Sequence, residues 1–235
     1  MWNPDSICEL ARRALQEREQ ELRIEQAVAG LDSLEELALH AVLRRGLSPM
    51  GTVLSEVPFP GDRASRAQFR DRERCDLVLL PDGYDALRDP VADNREQDRI
   101  ADTLFAGVLG SRKSDSTECA TRDAYWLEVK VAHQFHTADA EARPNRGYAS
   151  QVIPLPARDI RKLSRDPLVA HAGVLLIVFC DREATAKHDI AEASHRFLSK
   201  ELPIRTPIFA GLAIADRIGH SWCELALFDL RCEAL

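Results

Sequence analysis

The chain of 235 residues has no run approaching the ~18 apolar residues of a membrane span, and its start lacks a basic stretch followed by an apolar one. The sequence therefore predicts a protein of the cytoplasm with no membrane partner. Its six cysteines (Cys8, Cys75, Cys119, Cys180, Cys223 and Cys232) include no Cys-x-x-Cys pair, which argues against a structural zinc or a disulfide framework. Several lie in apolar runs, where buried thiols are common. No Gly-x-Ser-x-Gly occurs, and no Gly-rich loop ends in Lys-Ser/Thr, so nucleophile-elbow hydrolases and P-loop ATPases fall away. With 6% aromatics the chain lacks the platform that a sugar-acting hydrolase pairing Glu56 with Glu128 would use. His133 and His136 stand three apart and make a weak zinc pair, and the other histidines, His40 among them, form no motif.

What the chain does have is 45% hydrophobic residues, ample for one large domain, and a net charge of −7. That charge argues mildly against nucleic acid, but it is uneven. Residues 61–74 carry five arginines, including Arg63, Arg66 and Arg70, against three acids. Residues 143–166 carry six cations, including Arg146, Arg158 and Arg161, against two acids. Residues 85–118 reverse the balance, with eight acids to five cations.

Glu128-Val129-Lys130 is the most informative tripeptide, because two charges interrupt the apolar run Tyr125 to Ala132. Strand side chains alternate, so Glu128 and Lys130 share a face with Trp126 while Leu127, Val129 and Val131 point into a core. A second run, Arg74 to Pro81, has Asp76 near its start, and pairing the two strands would set Asp76 beside Glu128. Carboxylate oxygens suit Mg²⁺ or Mn²⁺, and such a patch suits phosphodiester cleavage.

Along the chain, residues 5–29 read as one or two amphipathic helices ended by Gly30. Asp32 or Ser33 should cap the next helix, with Glu36 completing a capping box and Gly46 stopping it. Strands follow at residues 53–57 and 75–80, and the third strand begins near Tyr125. An insertion of about 85–122 intervenes, helical over 94–109 and looped over 110–121. Pro156 should open a helix that runs to Arg165, residues 173–180 read as a strand covered on both faces, and 186–202 as a helix. A hairpin of 208–215 and 222–230 turns at Asp216 to Gly219. The expected organisation is a helical extension at 1–32, a core at 33–180, and a C-terminal helix and β-hairpin at 181–235 completing the same domain.

That α-β-β-β-α-β order, with an acid in the second strand and Glu-x-Lys in the third, resembles the PD-(D/E)XK nuclease superfamily over about Ser33 to Cys180. The resemblance implies an α/β fold with the three-layer restriction-endonuclease-like core and a mixed central sheet. It makes Asp76 the metal-binding acid, Glu128 the second acid and Lys130 the catalytic lysine. Glu36 would match the acid that many members carry on the preceding helix, and Glu56 a first-strand glutamate. Gln151 and the stretch Asp159 to Leu163, with Lys162, could supply polar helix residues. Arg74-Cys75 precedes Asp76 where a proline often stands, a departure from the family pattern. The implied activity is Mg²⁺- or Mn²⁺-dependent cleavage of nucleic acid, DNA favoured. Two copies acting together would suit double-strand cutting, and the competing expectation is a nuclease-fold binding or assembly module without turnover.

Overall fold

The computed structural model describes residues 2–61, 73–89, 117–136 and 142–232. The sequence begins with a strong helix signal, since Pro4 occupies the first turn and the Asn3 side chain accepts the backbone N–H groups of Asp5 and Ser6. Helix α1 (Pro4–Ile24) then runs unbroken, burying Ile7, Ala11, Leu15 and Leu22 on one side. Helix α2 (Glu36–Leu47) packs against it.

Two expectations about α2 are overturned. The capping box does not form, because Leu31–Ser33 is a 3-10 turn and the Asp32 carboxylate is taken by His220 Nδ1 at 2.8 Å in the interior. Gly46 does not stop the helix but lies inside it. A Cβ there would fall 2.2 Å from the Ala14 Cβ, so this glycine lets α1 and α2 approach closely.

Six strands make a mixed sheet: β1 (Val53–Pro58), β2 (Arg74–Leu79), β5 (Tyr125–His133), β6 (His171–Cys180), β7 (Ile208–Ala213) and β8 (Trp222–Asp229). Their spatial order is β1-β2-β5-β6-β8-β7, antiparallel at every junction except β5 with β6. That parallel pair is joined through helices α3 (Tyr148–Val152) and α4 (Pro154–Arg165), the crossover that parallel strands require. Pro154, not Pro156, opens α4. Helix α5 (Glu183–Ser199) and the expected hairpin complete the chain.

Within the expected insertion, two short strands, β3 (Ala86–Leu87) and β4 (Glu118–Cys119), pair in parallel and bring its ends together. The helix expected over 94–109 and most of the expected loop lie outside the described residues.

The unbroken apolar run of β6 has its expected consequence, a strand covered on both faces. Leu175, Ile177 and Phe179 join the core beneath α1 and α2, while Val174, Leu176 and Val178 join the core beneath α4 and α5. Glu19, buried on α1, ties that helix to the C-terminal hairpin by accepting the Ala215 N–H at 2.9 Å. Among the described residues no helix is long and apolar enough to cross a membrane.

Candidate metal centre

The centre forms where the sheet loosens. The β2–β5 ladder pairs Leu79 with Tyr125, Val78 with Trp126 and Leu77 with Leu127, and ends there. On the other side, β1 pairs Ser55 with Leu77 and Val57 with Cys75, while Glu56 between them takes φ 55°, a left-handed conformation unusual for a side chain of its size. Residues two apart on a strand should share a face. Cys75 and Leu77 do not, since Cys75 lies in the core under α4 and Leu77 in the core under α1 and α2. The strand therefore turns over at Asp76. Its carboxylate replaces the missing ladder partner, accepting the Val129 N–H at Oδ2 over 2.7 Å.

Lys130 gathers the acids. Its Nζ lies 3.4 Å from Asp159 Oδ2, 3.6 Å from Asp76 Oδ2, 3.7 Å from Glu128 Oε2 and 3.9 Å from Glu36 Oε1, and it donates to the Val129 carbonyl at 2.9 Å. Lys162 reaches in from α4, 2.6 Å from Glu128 Oε1 and 3.8 Å from Asp159 Oδ1, with its ammonium 4.6 Å from the centre of the Phe59 ring. Asp159 and Lys162 are three residues apart on α4 and so lie on one side of it. Four carboxylates thus face two ammonium groups, which leaves two negative charges when all are ionised (4 − 2 = 2).

The electrostatics follow from burial. Glu128 is only 2% exposed, and desolvation, with Asp76 close by, pushes its carboxyl up to about 8 in spite of Lys162. Burial raises Asp159 as well, against the pull of both lysines. For Lys130, burial works against the charge, but Asp76, Asp159, Glu128 and Glu36 outweigh it and hold the amine above its usual range. Lys162 is raised in the same way, chiefly by Glu128.

Glu36, His40 and Asp76 each present a ligand atom, and these atoms lie within 4.8 Å of one another, a spacing that could hold a metal ion. His40 Nε2 is buried, takes no hydrogen bond and sits 3.9 Å from Glu36 Oε1. An imidazole nitrogen left bare beside two carboxylates is the donor set expected of a cation site.

The structure therefore brings together Asp76, Glu128, Lys130, Glu36 and Lys162 from the sequence-based set. Glu128 and Lys130 do not face water as a solvated charge pair would. Glu56 is exposed, and its backbone carbonyl accepts from Arg74. Gln151 braces the end of β5, its Oε1 accepting the His133 N–H at 3.1 Å and the Asn145 amide at 3.2 Å. Sequence reasoning missed His40, although the four-residue spacing from Glu36 places both on one face of α2. His133 stacks on Phe179, and burial lowers it to about 4, which suits a neutral core histidine. Arg146 and Arg158 are exposed and Arg161 half-buried, with Arg158 paired to Glu73 at 3.1 Å. Arg63, Arg66 and Arg70 lie outside the described residues. The cysteines are free, and five of the six are buried.

Comparison of the chain with protein-family models, with curated proteins and with solved structures finds no match in any of the three.

Proposed function

We propose that this protein hydrolyses phosphodiester bonds in nucleic acid, DNA favoured, at a PD-(D/E)XK-type site that uses Mg²⁺ or Mn²⁺. The observation that carries the reading is the meeting of Asp76 with Glu128 and Lys130 where the β2–β5 ladder ends. Within the six-stranded sheet, and leaving aside the short β3–β4 pair, the succession α2, β1, β2, β5, α3–α4, β6, with β5 and β6 parallel, supports it. Asp76, Glu128 and the Val129 carbonyl would hold the ion, with Glu36 and His40 within reach of the Asp76 side. A divalent ion bound there would polarise a phosphoryl oxygen and lower the pKa of an attacking water.

The chain's own residues do the rest. The Val129 N–H fixes one Asp76 oxygen, so the direction of that carboxylate is set by the sheet. Lys162 holds Glu128 by its other oxygen. Lys130 provides positive charge beside the acids, in a partly dry setting where it can offset charge building on the phosphorane. Arg146, Arg158 and Arg161 on the α3–α4 side would track the backbone and make binding fall steeply with salt.

A mixed panel of labelled single-stranded, duplex and branched DNA and RNA, titrated with Mg²⁺ and Mn²⁺, tests this reading. Metal-dependent products that disappear in Asp76→Ala and Lys130→Ala are expected, and full activity in either variant refutes the assignment. The second reading, a binding or assembly module without turnover, is favoured by the net charge of −7 and by the engagement of Arg158 with Glu73. It predicts salt-sensitive binding without cleavage.

A further inference from the structure

An amine holds the middle of the carboxylate cluster. Around Lys130 Nζ stand one oxygen each from Glu36, Asp76, Glu128 and Asp159 and the Val129 carbonyl, all within 3.9 Å. An ammonium has three N–H groups and cannot direct one to each of five oxygens, so charge rather than directed bonding must hold much of this shell. Oxygens of several residues converging on one positive point is the arrangement of a hard-cation site, and Asp76, Glu128 and Val129 are the groups assigned to the ion above. Lys162 differs, because it meets only Glu128 and Asp159 of these acids and approaches from α4 beside Phe59.

We propose that Lys130 is a tethered competitor for the cation position and thereby sets which ions the centre accepts. The inference rests on the metal-site reading. A monovalent ion that displaced the ammonium would leave the cluster's charge unchanged and forfeit the amine's contacts. A divalent ion adds one positive charge, and only such an ion gains by the exchange. The chain thus rejects monovalent cations such as Na⁺ and K⁺, which supply most of the positive charge at a physiological ionic strength of about 0.15 M. The cost is a weaker hold on Mg²⁺ or Mn²⁺.

The test is Mn²⁺ binding, followed by the EPR signal of free Mn²⁺, for the native chain and Lys130→Met. Measurements at one ionic strength are made in tetramethylammonium chloride, whose cation is too bulky for the cluster, and then in NaCl. The variant should bind Mn²⁺ about ten-fold tighter or more in tetramethylammonium and lose most of that gain in Na⁺, whereas the native chain should bind alike in both. Equal affinity of variant and native chain, or equal Na⁺ sensitivity of both, overturns the competitor while leaving the metal site standing. No Mn²⁺ binding by either chain overturns the metal site and the competitor with it. Should Lys130→Met fail to fold, acetylation of the native protein decides. Saturating Mn²⁺ should raise the modification of Lys130 seen by mass spectrometry as the amine is expelled, and an unchanged or lower yield refutes the proposal.

Discussion

Glu128→Gln should make the metal-free protein more stable in alkali and leave it nearly unchanged in mild acid. The Glu128 carboxyl ordinarily titrates at 4.5 but is raised to about 8 in the fold by burial and by Asp76. Between those values the folded chain keeps a proton that the unfolded chain has lost, so stability falls as pH rises through this window. At about 1.4 kcal/mol per pH unit, ionised Glu128 withdraws about 5 kcal/mol by pH 9. Glutamine keeps the shape and the hydrogen-bonding oxygen of the protonated carboxyl, and what ionised Glu128 gains from Lys162 is already contained in that raised value. The variant should therefore gain up to about 5 kcal/mol at pH 9, or roughly 10–20 °C in Tm for a chain of this size. Near pH 5, where Glu128 carries its proton in the fold and the unfolded carboxyl has only begun to ionise, the two proteins should differ by no more than about 1 kcal/mol. Urea unfolding in a chelator at pH 5, 7 and 9 measures the difference. A variant destabilised by the same amount at all three values would refute the burial argument.

His133→Phe keeps the stack on Phe179 and removes a group held neutral by burial, whose folded value of about 4 lies below the ordinary 6.5. The native chain should lose about 3 kcal/mol as pH falls from 6.5 through 4, and urea curves of the variant should show a shallower acid limb. Glu19→Ala leaves the Ala215 N–H and Arg217 without their buried acceptor, so chemical unfolding should report a loss of about 2–3 kcal/mol. Gly46→Ala ordinarily favours a helix by about 1 kcal/mol, yet here calorimetry should show a lower Tm because the new methyl meets Ala14. Ala14→Gly in the same chain should recover much of it.

Patterns that depend on neighbours along the chain were legible in the sequence. The alternation in Tyr125–His133 and the solid apolar run of His171–Cys180 located the two central strands, and the turn at Asp216 to Gly219 located the last hairpin. Expectations failed where a distant partner intervened. Asp32 looked like a helix cap but is claimed by His220, 188 residues away, and α2 begins only at Glu36, whose carboxylate lies 3.9 Å from Lys130. His40 carried no signal beyond its spacing from Glu36, and that spacing also fits an ordinary amphipathic helix. Asp159 was legible only as part of a polar stretch, because its role depends on which turn of α4 faces β5. The rotation of β2 at Asp76 has no local marker, since it arises from the loss of regular pairing with strands on both sides.

The contact between α1 and the C-terminal hairpin has a consequence for how the chain reaches its fold. Cys8 on α1 donates to the Ile208 carbonyl, and Glu19 accepts from Ala215, so partners stand 200 and 196 residues apart in the sequence. A helix that forms within the first 24 residues must wait for its seat until β7 and β8 have been synthesised. At about 5–20 residues per second this interval is on the order of ten seconds or more, during which the apolar stripe of α1 is without its final cover on the ribosome. Nascent chains of this protein should therefore engage a holding chaperone early and release it only after Asp229 has emerged.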